Sequence, residues 1–579
     1  MNAPNDKSLE ETLHEIEDSL PELMREAGLA LDPFGIGRSL AESAQGWLMH
    51  PDQLFHAWTG LAGGLMGAQV GWWMDLARPG ARHHSSAVAA DERFADALWS
   101  QLPPYALMRD VYLTYTHWLE ESLFRTPGMS GATRRRAAFW ARQWLNAVAP
   151  SNFLPLNPVA LRKAVDSGGE TLVKGLEHFI EDLRTGDVQM VDKRPFRVGG
   201  NLATTPGAVV FRNRLVEVIQ YAPVRAQTRA VPIVLIAPWI NKFYILDLTE
   251  KKSLVRYLVD RGFDVFVTSW KNPGPNLAGV TFDDYLTEGV LPAVEVARDI
   301  CCTDHVHAAG YCLGGTALAA ALAWLNRGEP ANRVPVAHWT LLTALVDFSR
   351  PGAIEVFLDE RSLAYIDRLM STQGYLDGRD MARTFRLLRS NSLIWHYAVH
   401  RYLYGEMPPA FDVLYWNGDC TRMPRAMHRY YLREFYLRNR LVDRDGITIA
   451  GRPIDLRHIR QPLYMVGCDE DHIAPWKATF TLCGLVNAPV RYALSTSGHI
   501  LGIVNPPANP PKRGYYAGEA GGEDPAIWRL RQRKVDGSWW EDWVAWLEGR
   551  CGSLNAAPSV GNERFPRLDD APGTYVHEA

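Results

Sequence analysis

Cys312 stands in the run Gly310-Tyr311-Cys312-Leu313-Gly314-Gly315, after a short apolar stretch and ahead of an alanine-rich one. A thiol between glycines at a strand-to-helix junction has the form of a nucleophile elbow, written G-x-C-x-G. Such a turn is tight, so a side chain at Gly310 or Gly314 would collide with the neighbouring strand or helix. Cys312 then projects beside a helix N-terminus, whose partial positive charge favours a thiolate. The alternative is a small buried residue in a glycine-rich turn, and the partners of the sulfur decide between the two.

Partners in this arrangement follow in the chain order nucleophile, acid, base. Asp471, in "GCDEDHIAPW", follows one late apolar strand, and His499, in "STSGHI", follows the next. Of 17 histidines, His499 has the expected position. Asp469 and Glu470 compete for the role of acid; Asp471 is favoured because "DHIAPW" begins the next helix there. His472 reads as a supporting or core residue. Two backbone amides would hold an oxyanion, that of Leu313 after the nucleophile and that of Ile240 in "PWINKFY", after an early strand. Together these residues point to acyl transfer through a covalent thioester.

The elements that must carry them read in two parts. Through residue 195 the text is mostly helical, with Leu9, Leu13, Ile16, Leu20 and Leu23 recurring at three and four. From residue 196 to 579 the character changes. "AVVFRN" and "VEVIQYAP" predict an antiparallel hairpin, while "VPIVLIAP", "FDVFVTSW" and "HVHAAGY" predict strands buried on both faces, separated by helices. That alternation predicts a doubly wound, mostly parallel sheet, here an α/β-hydrolase fold. The sheet rhythm lapses over about 350–440, which reads as a cap insertion, and resumes at "PLYMVGCDEDH".

Bulk properties narrow the function. A net charge of −4 and a pI near 6.5 give no electrostatic footprint for nucleic acid. The seven cysteines show no disulfide spacing, and the acidic first twenty residues do not resemble a secretory signal, so the expectation is a cytoplasmic protein. No HExxH, paired CxxC or Walker motif occurs, and no metal or cofactor is expected. Gln53 to Met74 is free of formal charge but holds two Gln, a His and five Gly, which argues against a membrane span. Gly60, Gly63, Gly64, Gly67 and Gly71 suit close helix packing, whereas Trp58, Trp72 and Trp73 suit a surface helix meeting an apolar particle or a second subunit.

The elbow "GYCLGGT", with "INKFYILDL", "SWKNPG", "YWNGDCTRMP", "DEDHIAPW", "SGHILGIVNPP" and "GSWWEDWVAWL", resembles the polyhydroxyalkanoate synthases, class I above all. The likeness runs from about residue 152 to the end. It implies a Cys312, Asp471, His499 triad that polymerises (R)-3-hydroxyacyl-CoA thioesters and releases CoA. It also implies a homodimer with Trp416 at the subunit interface, CoA phosphate contacts at Arg389, and residence at the surface of growing polyester granules in the cytoplasm. Ser390 and Ser392 stand where Pro and Asp are usual, which weakens the assignment of Arg389. Two other readings use the same residues: a thioesterase or esterase of this fold, and a non-catalytic granule-binding protein.

Overall fold

The computed structural model describes residues 32–77, 91–330 and 333–579. The chain divides into two units. The first runs to Met190 and takes in Asp359–Ile366 and Arg386–Pro409; the second comprises Val191–Leu358, Asp367–Phe385 and Ala410–Ala579.

Among its described residues the first unit is helical, with α1 (Pro51–Ala77), α2 (Pro103–Phe124), α3 (Gly131–Ala147) and α4 (Glu170–Thr185). Its boundaries follow local chemistry. Proline opens α1 and α2, where its missing N–H is no loss. The Ser130 hydroxyl accepts the Thr133 amide to cap α3, and left-handed Gly169 and Gly186 bracket α4. The glycine-rich α1 packs one face on α2, where a Cβ at Gly64 would fall 2.7 Å from Thr114 Cγ2. Trp118 donates its indole N–H to the Ala57 carbonyl at 2.7 Å. Gly60, Gly63, Gly67 and Gly71 face open space. Thus α1 is both a packing helix and an exposed one, with Phe55, Trp58, Met66 and Trp73 each more than half exposed. No helix among the described residues is long and apolar enough to cross a membrane.

The second unit is built on an eleven-stranded sheet. Its strands in chain order are β1 (Gly207–Arg212), β2 (Val216–Tyr221), β3 (Ile233–Ile236), β4 (Val265–Trp270), β5 (Val306–Tyr311), β6 (Val336–Leu342), β7 (Leu463–Cys468), β8 (Val490–Ser495), β9 (Gly514–Ala520), β10 (Lys534–Asp536) and β11 (Asp569–Asp570). Their spatial order is β10-β9-β8-β7-β6-β5-β3-β4-β2-β1-β11. The six from β8 to β4 run parallel, and antiparallel strands extend both edges. Helices cover both faces of a parallel sheet, which is why β3, β4 and β5 are buried along their whole length and mostly apolar. The predicted hairpin is β1–β2, with a bulge between Val209 and Phe211. The interval between β6 and β7 carries the helical segments expected there, among them Glu360–Gln373, Gly378–Leu388 and Arg425–Tyr430.

Candidate active site

The elbow joins β5 to α5 (Leu313–Gly328), and Cys312 is the residue between them. Its backbone is strained, with φ 51° and ψ −123°, a region that L residues rarely occupy. Three contacts hold it. The Cys312 amide donates to the Leu342 carbonyl at 2.9 Å, and the Cys312 carbonyl accepts from Gly315 and Thr316 at 2.9 and 3.2 Å. The flanking glycines are obligatory for space: a Cβ at Gly310 would lie 2.4 Å from Gly315 Cα, and one at Gly314 would lie 2.3 Å from the Ile236 carbonyl oxygen. The thiol is partly buried.

Asp471 follows β7, and His499 follows β8. The two loops are bonded to each other, since the Glu470 amide donates to the Ser497 carbonyl at 3.1 Å. That contact brings His499 Nδ1 to 2.6 Å from Asp471 Oδ2. The other carboxylate oxygen accepts the amides of Ile473 and Ala474, both at 2.8 Å. Asp469 is engaged elsewhere, paired with Arg529 at 2.9 Å, and Glu470 is exposed. Asp471 is therefore the carboxylate that orients His499.

Burial pulls the His499 imidazole towards neutrality, but the charges of Asp471 and Cys312 and its hydrogen bonds to both outweigh this, leaving its pKa raised to about 10. With Nδ1 committed to Asp471, Nε2 is the nitrogen free for the sulfur. Tyr311 stacks on His499 with centroids 5.8 Å apart. Burial keeps Tyr431 and Tyr436 protonated, and the proximity of Cys312 adds to the effect.

Sequence reasoning assigned no role to the residues that hold the His499 loop. In α6 (Trp539–Glu548), Trp539 and Trp540 donate their indole N–H groups to the carbonyls of Gly502 and Ile503, at 2.8 and 2.9 Å. Both rings are at most 1% exposed. The signal available was the "SWW" run itself, a tryptophan pair whose polar edges need partners once buried.

Of the two predicted oxyanion amides, Leu313 begins α5, and Ile240 lies just past β3, whose end meets Gly314. Among the described residues neither amide donates a hydrogen bond. Trp416 is 3% exposed and donates its indole to the Lys242 carbonyl at 2.7 Å. Its side chain packs inside its own unit, against the loop that carries Ile240. Arg389 belongs to the first unit and is exposed. Its neighbour Ser390 is buried and accepts from Asn146 Nδ2 at 3.0 Å, so the departure from Pro supports packing within the helical unit.

Comparison with known proteins gives two family matches. Residues 90–258 match a family described as poly-beta-hydroxybutyrate polymerase (PhaC) N-terminus, and residues 235–506 match the alpha/beta hydrolase fold. The chain is 42% identical over 496 residues to the poly(3-hydroxyalkanoate) polymerase subunit PhaC of Cupriavidus necator, covering 84% of this chain and 83% of that one. It is 38% identical over 546 residues to the poly(3-hydroxyalkanoate) polymerase of Methylorubrum extorquens, covering 93% and 89%. With poly(3-hydroxyalkanoate) polymerase 2 of Ectopseudomonas oleovorans it shares 40% identity over 493 residues, covering 84% and 86%. A Cys-centred elbow on an α/β-hydrolase sheet and relatives matched over most of their length lead to one assignment: the chain belongs to the poly(3-hydroxyalkanoate) polymerase family.

Proposed function

We propose that this protein polymerises (R)-3-hydroxyacyl groups from coenzyme A thioesters into a polyester, through an acyl thioester on Cys312. The observation that carries the reading is the Asp471–His499 hydrogen bond of 2.6 Å beside a strained cysteine elbow. His499 Nε2 takes the thiol proton, and the sulfur attacks the thioester carbonyl. The amides of Leu313 and Ile240 receive the oxyanion. When the carbon–sulfur bond to CoA breaks, His499 returns the proton to the departing thiolate. The 3-hydroxyl of a second unit then attacks an enzyme-held acyl thioester, forming the ester bond and freeing the sulfur, while its proton passes to the displaced thiolate. Asp471 stabilises the imidazolium throughout.

Sulfur suits this task energetically. A serine would convert a thioester into an oxygen ester and lose acyl-transfer potential, whereas Cys312 exchanges one thioester for another. The buried phenols and apolar surroundings of the site favour the hydroxyl of a second acyl unit over water.

The exposed apolar residues of α1 and of α4, where Val173, Leu176 and Leu183 are 61, 59 and 64% exposed, support association of the helical unit with a polyester granule surface. Homodimerisation and cytoplasmic residence, which the family resemblance implies, complete the proposal.

Incubation with (R)-3-hydroxybutyryl-CoA, following free CoA and polymer together, tests the reading. CoA release with polymer is expected. Free 3-hydroxybutyrate without polymer would make the protein a thioesterase, and turnover retained in Cys312→Ala would remove Cys312 from the chemistry.

A further inference from the structure

We infer that Thr421 is a positioning residue for the oxyanion amide of Ile240, acting from the reverse side of the same peptide unit. The inference rests on the acyl-transfer reading above and adds a residue to it. In a trans peptide the carbonyl of one residue and the N–H of the next point in opposite directions. The N–H of Ile240 therefore shares a plane with the carbonyl of Trp239. That carbonyl accepts a hydrogen bond from the Thr421 hydroxyl. Gripping the oxygen fixes the direction in which the N–H points, away from Thr421.

The surrounding contacts make this a clamp. The Thr421 amide donates to the Ile240 carbonyl at 2.9 Å, so two successive peptide units of the loop are held by one residue. Thr421 is 2% exposed, and water does not compete for its hydroxyl. Asn241 bridges to Cys420 as an isolated β-pair and donates its side-chain amide to the Asn417 carbonyl at 3.3 Å. Tyr244 and Lys242 both reach Asp419, at 2.9 and 3.0 Å. On its own side the peptide is wedged by Trp239, which is 1% exposed and stacks on Tyr285 with centroids 4.3 Å apart. The Ile240 amide itself donates to nothing among the described residues. A loop so fully bonded, with this N–H left open, has the preorganisation an oxyanion donor requires.

The segment from Trp416 to Thr421 lies within the long interval between β6 and β7. It sets the geometry of an amide that the sheet delivers from β3, on the opposite side of the chain order.

The test compares Thr421→Val, Thr421→Ser and a chain carrying the α-hydroxy analogue of isoleucine at position 240, which deletes only that N–H. Initial CoA release from (R)-3-hydroxybutyryl-CoA is measured with thermal melting of each protein. Loss of the N–H is expected to lower kcat by about 100-fold, as for other oxyanion donors. Thr421→Val is expected to lower kcat by about tenfold, one decade being about 1.4 kcal/mol of barrier, with KM within twofold. Thr421→Ser restores kcat. In the chain lacking the 240 N–H, Thr421→Val changes kcat by less than twofold, because the amide it positions is gone.

Several results would overturn the inference. Undiminished kcat in Thr421→Val alongside a slow α-hydroxy chain removes Thr421 and leaves the oxyanion assignment standing. Full activity in the α-hydroxy chain removes the Ile240 assignment, and with it the role of Thr421. Absence of CoA release from the unaltered protein removes the acyl-transfer reading itself. If Thr421→Val melts early, Thr421→Ser carries the comparison: a slow but stable Ser variant also overturns the inference.

Discussion

Nδ1 of His499 lies 2.6 Å from Oδ2 of Asp471, while Oδ1 of the same carboxylate accepts the amides of Ile473 and Ala474. One oxygen is thus anchored to its own loop and the other fixes the ring. A carboxylate held at both oxygens can neither rotate away from His499 nor exchange it for solvent, so the imidazole keeps one orientation towards the elbow.

Replacing Asp471 by Asn keeps the shape and removes the charge. The expected loss in kcat is on the order of 10³- to 10⁴-fold with the fold intact, read by CoA release and circular dichroism. His499 should also lose much of the rise that takes it to about 10, read by titration of its ring protons. The sign for stability follows. A histidine raised above its ordinary 6.5 contributes stability that is fully present below that value and is lost as pH climbs through about 10. In Asp471→Asn the alkaline loss should begin at lower pH.

The buried pair His307 and His338 works in the opposite direction. Their Nδ1 atoms are 2.6 Å apart, and burial lowers both; His338 falls to about 4 and His307 well below 6.5. Below 6.5 the unfolded chain takes up protons that the folded pair refuses, so stability rises with pH in this window. Urea unfolding should show stability falling from pH 6.5 towards pH 4. A constant stability across that range would exclude the pair as a determinant of acid sensitivity.

Two glycine substitutions should separate a required glycine from a tolerated one. Gly314→Ala drives a Cβ to 2.3 Å from the Ile236 carbonyl oxygen, and we expect a loss of about 3 kcal/mol or failure to accumulate folded protein. Gly67→Ala, with open space around it in α1, should gain about 0.5–1 kcal/mol from helix propensity. Denaturant melts of the two proteins decide both.

Trp540→Phe removes the indole donor from the carbonyl of Ile503, which keeps the Asn505 amide at 2.8 Å. The expected cost is about 0.5–1.5 kcal/mol, together with a fall in kcat larger than any rise in KM, because the loop that carries His499 loses an anchor. Stability measured beside steady-state kinetics checks this; a destabilised protein with unchanged kcat would confine Trp540 to packing.

Much of the site was legible from local sequence. A strained turn needs glycines at Gly310 and Gly314 whatever surrounds it, and strands covered on both faces read as mostly apolar stretches; hence β3, β4, β5 and the elbow were evident as patterns. Among the neighbouring carboxylates, only the place of the following helix favoured Asp471. Asp469, Glu470 and Asp471 have similar local chemistry, and Asp469 is taken out by Arg529, sixty positions away in sequence. Trp416 shows the limit from the other side, since nothing in its local sequence indicates that its indole is held by the Lys242 carbonyl.

Thr421 and the Trp539–Trp540 pair lie in motifs whose spacing does not reveal their bonds, because their partners are backbone carbonyls, which every sequence supplies at every position. The sequence by itself determined the glycine-framed turn at Cys312, the chain order of Cys312, Asp471 and His499, and the sheet that presents them, since these depend on side-chain size and periodicity along the chain. The tertiary structure decided which carboxylate meets His499, where Trp416 faces and what grips the peptide of Ile240. Those outcomes depend on which hydrogen-bonding groups come within about 3 Å of one another in space, and that distance is set by packing between distant segments.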